Sequence, residues 1–417
     1  MNGYLDDEKT SWLAFLACFI AYTMISMTKN TYSTAIAAIV SEGLFSKANA
    51  GVINASFYLF YGMTQFLGGY LADRFSPFKI ILIALFGSVF VNALMATSHS
   101  FISMLIVWSV NGVFQFGVWP AVVKVISSVL LYDHRRKAMV YSAFCFPAGT
   151  IISYLLAMGI LKRWSWPMLF WASAAILIPV AAFVIFVMKR VQAKLVPEES
   201  NIKNGDQRKD NAETIPFTNI FFASGLFLIC IPALVRCMLD IGLKTWVPTM
   251  IMESYGVSPS TSSMLTTVLI FLNLTGVFFT TWLYPKRCKS LPLAIGLFFL
   301  VSLPLLGLLL FNGTVSVMII VLLLALMTTM MTAASQLLNV NLPAAFGAYK
   351  KIGMVAGISN AFGCFGCMLA NYLYGFTAQT YGWTVTIMIW IALALVAFLF
   401  CILAMLLWNR SMMQKEQ

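Results

Sequence analysis

The chain has 417 residues, of which 61% are hydrophobic and only 10% charged, with a mean hydropathy of +0.89 and a formal net charge of +12. No soluble globular protein of this length needs so much apolar surface, so the composition excludes that class and points to a polytopic membrane protein. The basic excess reads as a topology signal, which leaves nothing for a nucleic-acid partner to explain.

Apolar runs of about twenty residues predict twelve helices, over 11–40, 50–73, 77–98, 100–131, 137–161, 165–189, 218–250, 260–284, 290–311, 314–340, 352–378 and 383–408. Nineteen of the 26 Lys and Arg fall in segments on one side of such a chain, and three (Lys47, Lys162, Arg163) on the other. By the positive-inside rule both termini are cytoplasmic. The remaining four, Lys29, Lys124, Arg236 and Lys244, lie within helices. The first apolar run is too long for a signal-peptide core and lacks a small-residue cleavage site, so no cleaved leader is expected.

In chain order, a short polar lead, MNGYLDDEKTS, precedes helix one, which carries Tyr22 and Lys29. Lys29 lies about 26 Å along the helix from Trp12. It either snorkels to the outer interface or serves a site. Arg236 lies at a similar depth in helix seven, which argues for the site. Helix two holds Tyr58, Tyr61 and Gln65 and ends in GGYLADRFSPFK (68–79). Gly68 and Gly69 permit close helix contact, Asp73 caps a helix N-terminus, and Arg74 and Lys79 hold the loop at anionic headgroups. Lys124 is placed about 13 Å inside the end of helix four, as a gate or substrate contact or as a packed pair partner. DHRRKAMVY (133–141) reads as a solvated basic turn, with His134 and His99 at membrane edges and neither a proton relay. Pro147 and Gly149 are expected to let helix five bend. The one long polar stretch, 191–219, reads as a flexible linker, dividing a first bundle (1–190) and a linker (191–217) from a second bundle (218–417).

Helix seven contains LVRCMLDIGLKTWVPT (234–249), which sets Arg236, Asp240 and Lys244 four residues apart on one face. Each charge costs at least ~2.5 kcal/mol at the bilayer centre, so such a ladder persists only by pairing or by facing a wet cavity. Asp240 is expected to pair with one base at a time, leaving the face net positive, as for the floor of a substrate site. Asn273, Gln336 and Asn360 sit inside helices, each as readily a helix–helix hydrogen bond as a ligand contact. The eight cysteines lie nearly all in helices, so no disulfide framework is expected, and Cys364 and Cys367 in GCFGCML read as small residues at a helix contact.

GYLADRFSPFK resembles the loop signature G-x-L-x-D-R-x-G-x-x-K/R of the major facilitator superfamily, with Ser76, followed by Pro77, in place of the Gly at its eighth position. That variant is similar to the organophosphate:phosphate antiporter branch, which includes glycerol-phosphate and hexose-phosphate carriers. GVWPAVVK (117–124), TWVPT (245–249), FLNLTGV (271–277), GMVAGISNAFGCFG (353–366) and YGW (381–383) resemble further motifs of that branch, in order along most of the chain. YPKRCKS (284–290) is a degraded second copy of the loop signature that keeps its bases. The resemblance implies an all-α integral membrane fold of twelve helices in two pseudo-symmetric six-helix bundles (6+6). It also implies alternating access about a midplane site, in a monomer.

In that branch one Arg on helix one and one on helix seven are thought to grip phosphate; the aligned positions here are Thr28 and Asp240. Lys29 stands one residue beyond the first and Arg236 one turn before the second. A lysine lacks the fork of an arginine, so a carboxylate or zwitterion becomes as attractive as a phosphate ester. The expectation is that Lys29 and Arg236 hold the anion, Asp240 and Lys244 form a switchable ion pair, and Tyr22, Tyr58, Tyr61, Asn273 and Asn360 define the rest. Gly69, Asp73, Arg74, Lys79 and Lys124 would form the gating elements. No cofactor, metal or nucleic acid is expected; the partners are the small anion, the bilayer, and protons or a counter-substrate. The competing readings are a proton-coupled exporter of cationic or apolar compounds using Asp240, and a transporter-like solute sensor. No nucleophile–base set, P-loop or nucleotide fingerprint supports an enzyme. An inner-membrane, multi-pass protein is expected.

Overall fold

The computed structural model describes residues 3–142, 144–197, 221–222, 224–346 and 352–413, with the side chains of 3–4, 65–74, 196–197, 352–353 and 409–413 outside that description. The first stretch comprises strand β1 (Gly3–Leu5) and helices α1 (Glu8–Ser41), α2 (Lys47–Arg74), α3 (Pro77–Thr97), α4 (Phe101–Phe114) and α5 (Val118–Lys124). It continues with α6 (Tyr132–Ser142), α7 (Cys145–Ile160), α8 (Pro167–Lys194) and strand β2 (Leu195–Pro197). The second contains α9 (Leu226–Cys237), α10 (Leu243–Tyr255), α11 (Pro259–Asn273), α12 (Gly276–Leu283) and α13 (Leu291–Leu308). It ends with α14 (Val317–Gln336), α15 (Leu342–Ala345), α16 (Ile352–Thr380) and α17 (Gly382–Met413). Single π-helical turns, Val125–Val129, Met238–Gly242 and Leu337–Asn341, follow α5, α9 and α14.

Local chemistry sets these limits. Pro77 and Pro259 open α3 and α11, where a missing N–H costs nothing. The hydroxyls of Ser100 and Ser258 accept from the backbone N–H groups of Ser103 and Thr261, each at 3.2 Å, and cap α4 and α11. Among the described residues ten helices are long and apolar enough to cross a bilayer, or eleven if α6 and α7, bent by 40°, form one span. The 28-residue α2 is not among them; its described half carries Lys47, Asn49, Asn54 and Ser56.

Three local expectations change. Residues 133–141 are helical rather than a loose turn, and His134 is buried against Trp12 with ring centroids 4.6 Å apart. The bend lies ahead of α7, not at Pro147 or Gly149. Gly149 instead marks a close approach, because a Cβ there would lie 2.3 Å from the Thr23 carbonyl oxygen of α1. The linker starts later than residue 191: α8 runs to Lys194 and β2 pairs antiparallel with β1, while the remainder, 198–217, lies outside the described residues. Lys194 Nζ sits 2.7 Å from Asp7 Oδ2 and, with Thr10, holds that carboxyl well below its ordinary value of 3.8. The contact is therefore complete above that value and fades only as the pH drops below it.

The described chain forms two compact units, residues 1–35 with 60–212 and residues 36–59 with 213–417. In the first, α3 packs along α8 and against α4 and α5, around a core that includes Phe78, Leu85, Val122 and Val184. In the second, α9 lies along α16 and α17, α13 between α14 and α17, and α11 along α14, with Trp246, Trp390, Tyr374 and Phe299 fully buried. Lipid tails are as apolar as leucine, so hydrophobicity does little to bring membrane helices together; small residues and hydrogen bonds do.

Residues 36–59 show this within the second unit, although the sequence division groups them with the first bundle. Lys47 Nζ lies 2.8 and 3.1 Å from the two Glu253 oxygens, and Trp383 Nε1 donates to the same carboxylate at 2.7 Å. Asn54 Nδ2 donates to Asn371 Oδ1 at 2.7 Å, and Trp246 Nε1 to the Asn371 carbonyl at 3.2 Å. Gly51 makes the approach possible: a Cβ there would lie 2.3 Å from the Asn371 carbonyl oxygen. Gly51→Ala should therefore cost ~1–3 kcal/mol through overpacking and lower the melting temperature of the purified protein. Gly159→Ala, whose Cβ meets nothing within 4 Å, should leave it unchanged or raise it.

Candidate functional site

The charged ladder of the second unit begins where α9 passes into its π-helical turn. Arg236 lies in the last turn of α9, Asp240 inside the π-turn and Lys244 in the first turn of α10. Arg236 Nη1 stands 3.6 Å from Asp240 Oδ2, while Lys244 Nζ contacts Asp240 Oδ1. The expectation that Asp240 serves one base at a time is thus corrected, because each base takes its own carboxylate oxygen. A π-turn inserts one residue into the helical repeat and is common at functional positions; here it contains the acid. Arg236 and Asp240 are 8% and 7% exposed, and Arg236 Nε is buried without a hydrogen-bond partner among the described residues. Two cations and one anion leave the ladder net positive.

The wall behind the ladder is built from small residues of α16. A Cβ on Gly366 would lie 2.2 Å from the Leu234 carbonyl oxygen, and one on Gly363 would lie 2.8 Å from Cys237 Sγ and 3.7 Å from Arg236 Nη2. Gly242, inside the π-turn, faces Ala370 in the same way, at 2.5 Å. These contacts fix where the guanidinium stands. Cys364 and Cys367 flank them as buried thiols outside any disulfide.

In the first unit, Lys29, Tyr22 and Tyr61 line, with Ser26, Gln115 and Phe146, a cavity of about 10 Å3, room for roughly one water. Lys29 Nζ lies 3.7 Å from the Tyr61 ring centroid and 5.9 Å from that of Phe146. Such cation–π contacts are worth ~0.5–2 kcal/mol, more where water is excluded. Tyr22 meets Trp119 with ring centroids 5.2 Å apart and planes tilted by 37°. Gly149 lets α7 reach the backbone of α1 one turn before Lys29.

Gln115 escaped the sequence reading. Its Nε2 donates to Thr28 Oγ1 at 3.4 Å and to Asn111 Oδ1 at 3.3 Å, tying α1 to the break between α4 and α5. The signal was present in NGVFQFGVWP: a lone amide in an apolar run, two residues before Gly117, whose φ of 67° ends α4. Glu253 and Trp383 were missed as well. Lys47 was counted as a topology charge, and nothing in spacing joins residues two hundred positions apart.

The other candidates scatter. Tyr58 belongs to the second unit, 3% exposed and edge-on to Phe57 at 5.3 Å. Asn273 pins α11 to α14, its Oδ1 accepting from Thr328 and Thr329 at 2.9 and 3.2 Å. Asn360 is exposed on α16, and Gln336 is half-buried at the end of α14. The side chains of Gln65, Gly69, Asp73 and Arg74 lie outside the described residues. Lys79 is exposed in the first turn of α3, and Lys124 closes α5 before its π-turn. His134 Nδ1 lies 3.0 Å from Ser11 Oγ, and His99 meets Trp166 edge-on.

Paired charges buried inside membrane-length helices mark a solute carrier rather than an enzyme. The chain belongs to the Major Facilitator Superfamily, whose sequence pattern matches residues 14–371. It is 23% identical over 411 residues to a glycerol-3-phosphate transporter of Bacillus subtilis (strain 168), covering 95% of this chain and 91% of that one. A probable hexose phosphate transport protein of Chlamydia pneumoniae is 28% identical over 106 residues, 25% of this chain and 23% of that one. These relatives match the organophosphate:phosphate antiporter branch whose motifs the sequence carries. The fold is that of a bacterial homolog to the human lysosomal transporter Spinster, with TM-score 0.78 and 15% identity over 97% of this chain and 98% of that structure. The chain is a multi-pass transport protein of the inner membrane.

Asp240 pairs with two bases at once, so Asp240→Asn should cost ~3–5 kcal/mol, the usual loss when a buried pair is broken. Adding Lys244→Met should recover part of it. Melting temperatures of the single and double variants give both values.

Proposed function

We propose that the protein is a secondary carrier that moves a small organic anion by alternating access, through twelve spans in a 6+6 arrangement with both termini cytoplasmic and α2 as the remaining span. The observation that carries the anion reading is the net-positive Arg236–Asp240–Lys244 ladder with Arg236 Nε unmet. Asp240 engages the guanidinium through Nη1, which leaves the Nε edge to receive an oxyanion in forked geometry. An arriving anion would compete with Asp240 for Arg236 and shift the carboxylate toward Lys244, which is the switch the ladder provides. Within the first unit, Lys29 stands over the Tyr61 ring.

The relatives named above carry phosphorylated metabolites, which places such esters first among the candidates. Carboxylates and zwitterions follow, because neither base stands where the branch keeps its arginine. A carrier that needs its anion to relieve buried positive charge acts as an exchanger, and protonated Asp240 in place of substrate would make it proton-coupled. Export of cations is disfavoured because both Asp240 oxygens already face bases.

The test is thermal-shift screening of the purified protein, with counterflow in proteoliposomes. The panel is glycerol-3-phosphate, hexose phosphates, inorganic phosphate, carboxylates, amino acids and cationic drugs. A substrate at 100 times its Kd stabilises by ~2.7 kcal/mol, so the shift should rise with dose. Ligand-induced shifts, rather than absolute melting temperatures, are compared across wild type, Lys29→Ala and Arg236→Ala. An anion-specific shift lost in both variants is expected. A shift with cations alone, retained in both, would overturn the anion reading.

A further inference from the structure

The first unit carries a second feature, unconnected with the charged clusters. Lys79, Ile83, Phe86 and Phe90 recur at helical spacing along α3 and line an open groove of about 560 Å3, closed on one side by Phe114 of α4. Phe114 lies across Gly87, where a Cβ would meet its ring at 2.3 Å, so the glycine seats the wall of the groove. Ile83, Phe86 and Phe90 are 52%, 53% and 59% exposed. On a helix long and apolar enough to cross a bilayer, apolar side chains so exposed face lipid.

The dimensions and the charge select the lipid. Lys79 and Phe90 are eleven residues apart on α3, which is ~16 Å of helix rise and about half of a ~30 Å hydrocarbon core. The groove is therefore one leaflet deep. Its apolar walls run to mid-bilayer, and Lys79, the one cation among its described lining residues, stands at headgroup level. Lys79 is exposed in the first turn of α3, where the positive end of the helix dipole adds to its charge. We infer that this groove is a binding site for one anionic phospholipid, an acyl chain lying along Ile83, Phe86 and Phe90 and the phosphodiester against Lys79. A zwitterionic headgroup brings its own ammonium to the same place and forfeits most of that attraction.

Native mass spectrometry of the full chain in detergent, titrated with phosphatidylglycerol or phosphatidylcholine of equal chain length, tests this through the first lipid bound. Phosphatidylglycerol should be held about fivefold more tightly, the scale of one lysine–headgroup attraction. Lys79→Gln should erase that preference and Lys79→Arg should keep it. Ile83→Trp, which fills the groove from its lipid face, should weaken both lipids. Melting temperatures confirm that each variant is folded. Equal retention of the two lipids by wild type, or an unchanged preference in Lys79→Gln, overturns the proposal. So does displacement of phosphatidylglycerol by millimolar inorganic phosphate, which would mean that the headgroup charge alone is recognised.

Discussion

A bilayer core gives a charge no water, and that constraint organises the second unit. A carboxylate or guanidinium alone in hydrocarbon is untenable, so Arg236, Asp240 and Lys244 exist as a set or not at all. The set closes on itself incompletely. Asp240 satisfies one nitrogen of Arg236 and the ammonium of Lys244, and Arg236 Nε is left over among the described residues. An arrangement built for stability alone would have placed an acceptor there. Arg236 Nε is a charged donor among the buried polar atoms left without a partner among the described residues, and it is the one the proposed anion site draws on.

The ladder depends in turn on backbone contact, because helices in lipid are drawn together by close approach and not by the hydrophobic effect. Gly363 and Gly366 bring α16 onto Leu234 and Cys237, and Gly242 brings the π-turn onto Ala370. A side chain larger than hydrogen at any of these would move the guanidinium relative to its carboxylate. In the first unit Gly149 has the same role for α1, one turn before Lys29. Arg236 and Lys29 thus stand beside close approaches made by glycines of neighbouring helices, and positional accuracy comes from missing side chains as much as from present ones.

Much of this was legible in the sequence, for reasons that show where legibility stops. Composition and the ordered motifs carried the membrane class and the family, because lipid imposes length and apolarity on every span. The ladder was visible because three charges at a spacing of four are conspicuous in an apolar run, and Lys29 with Tyr22 and Tyr61 for a similar reason. The double pairing of Asp240 was not, because the π-turn that sets it leaves no mark in the spacing. Gln115 was overlooked as one amide among many, although Gly117 beside it signalled the break. Asn273, which the sequence left equally as a ligand contact or a helix–helix hydrogen bond, accepts from Thr328 and Thr329. The Lys47–Glu253–Trp383 contact was out of reach, since it joins distant residues and the sequence division had assigned residues 36–59 elsewhere.

The irregular turns carry one more step. In the twelve-run numbering, the π-turn Val125–Val129 follows α5 in the fourth run, and Leu337–Asn341 follows α14 in the tenth, six runs later. Under a 6+6 duplication those positions are equivalent. An ordinary α-helix would satisfy every backbone group in lipid without effort, so a wider turn at matching places in both halves is not what span formation requires. Its recurrence supports descent of the two halves from one unit. The third π-turn, Met238–Gly242, falls in the seventh run, and α1 in the first run is an unbroken helix from Glu8 to Ser41. The departure from symmetry therefore lies where Asp240 sits. Under that duplication Asp240, the one buried acid among the described residues, falls in the half that interrupts its first helix with a π-turn.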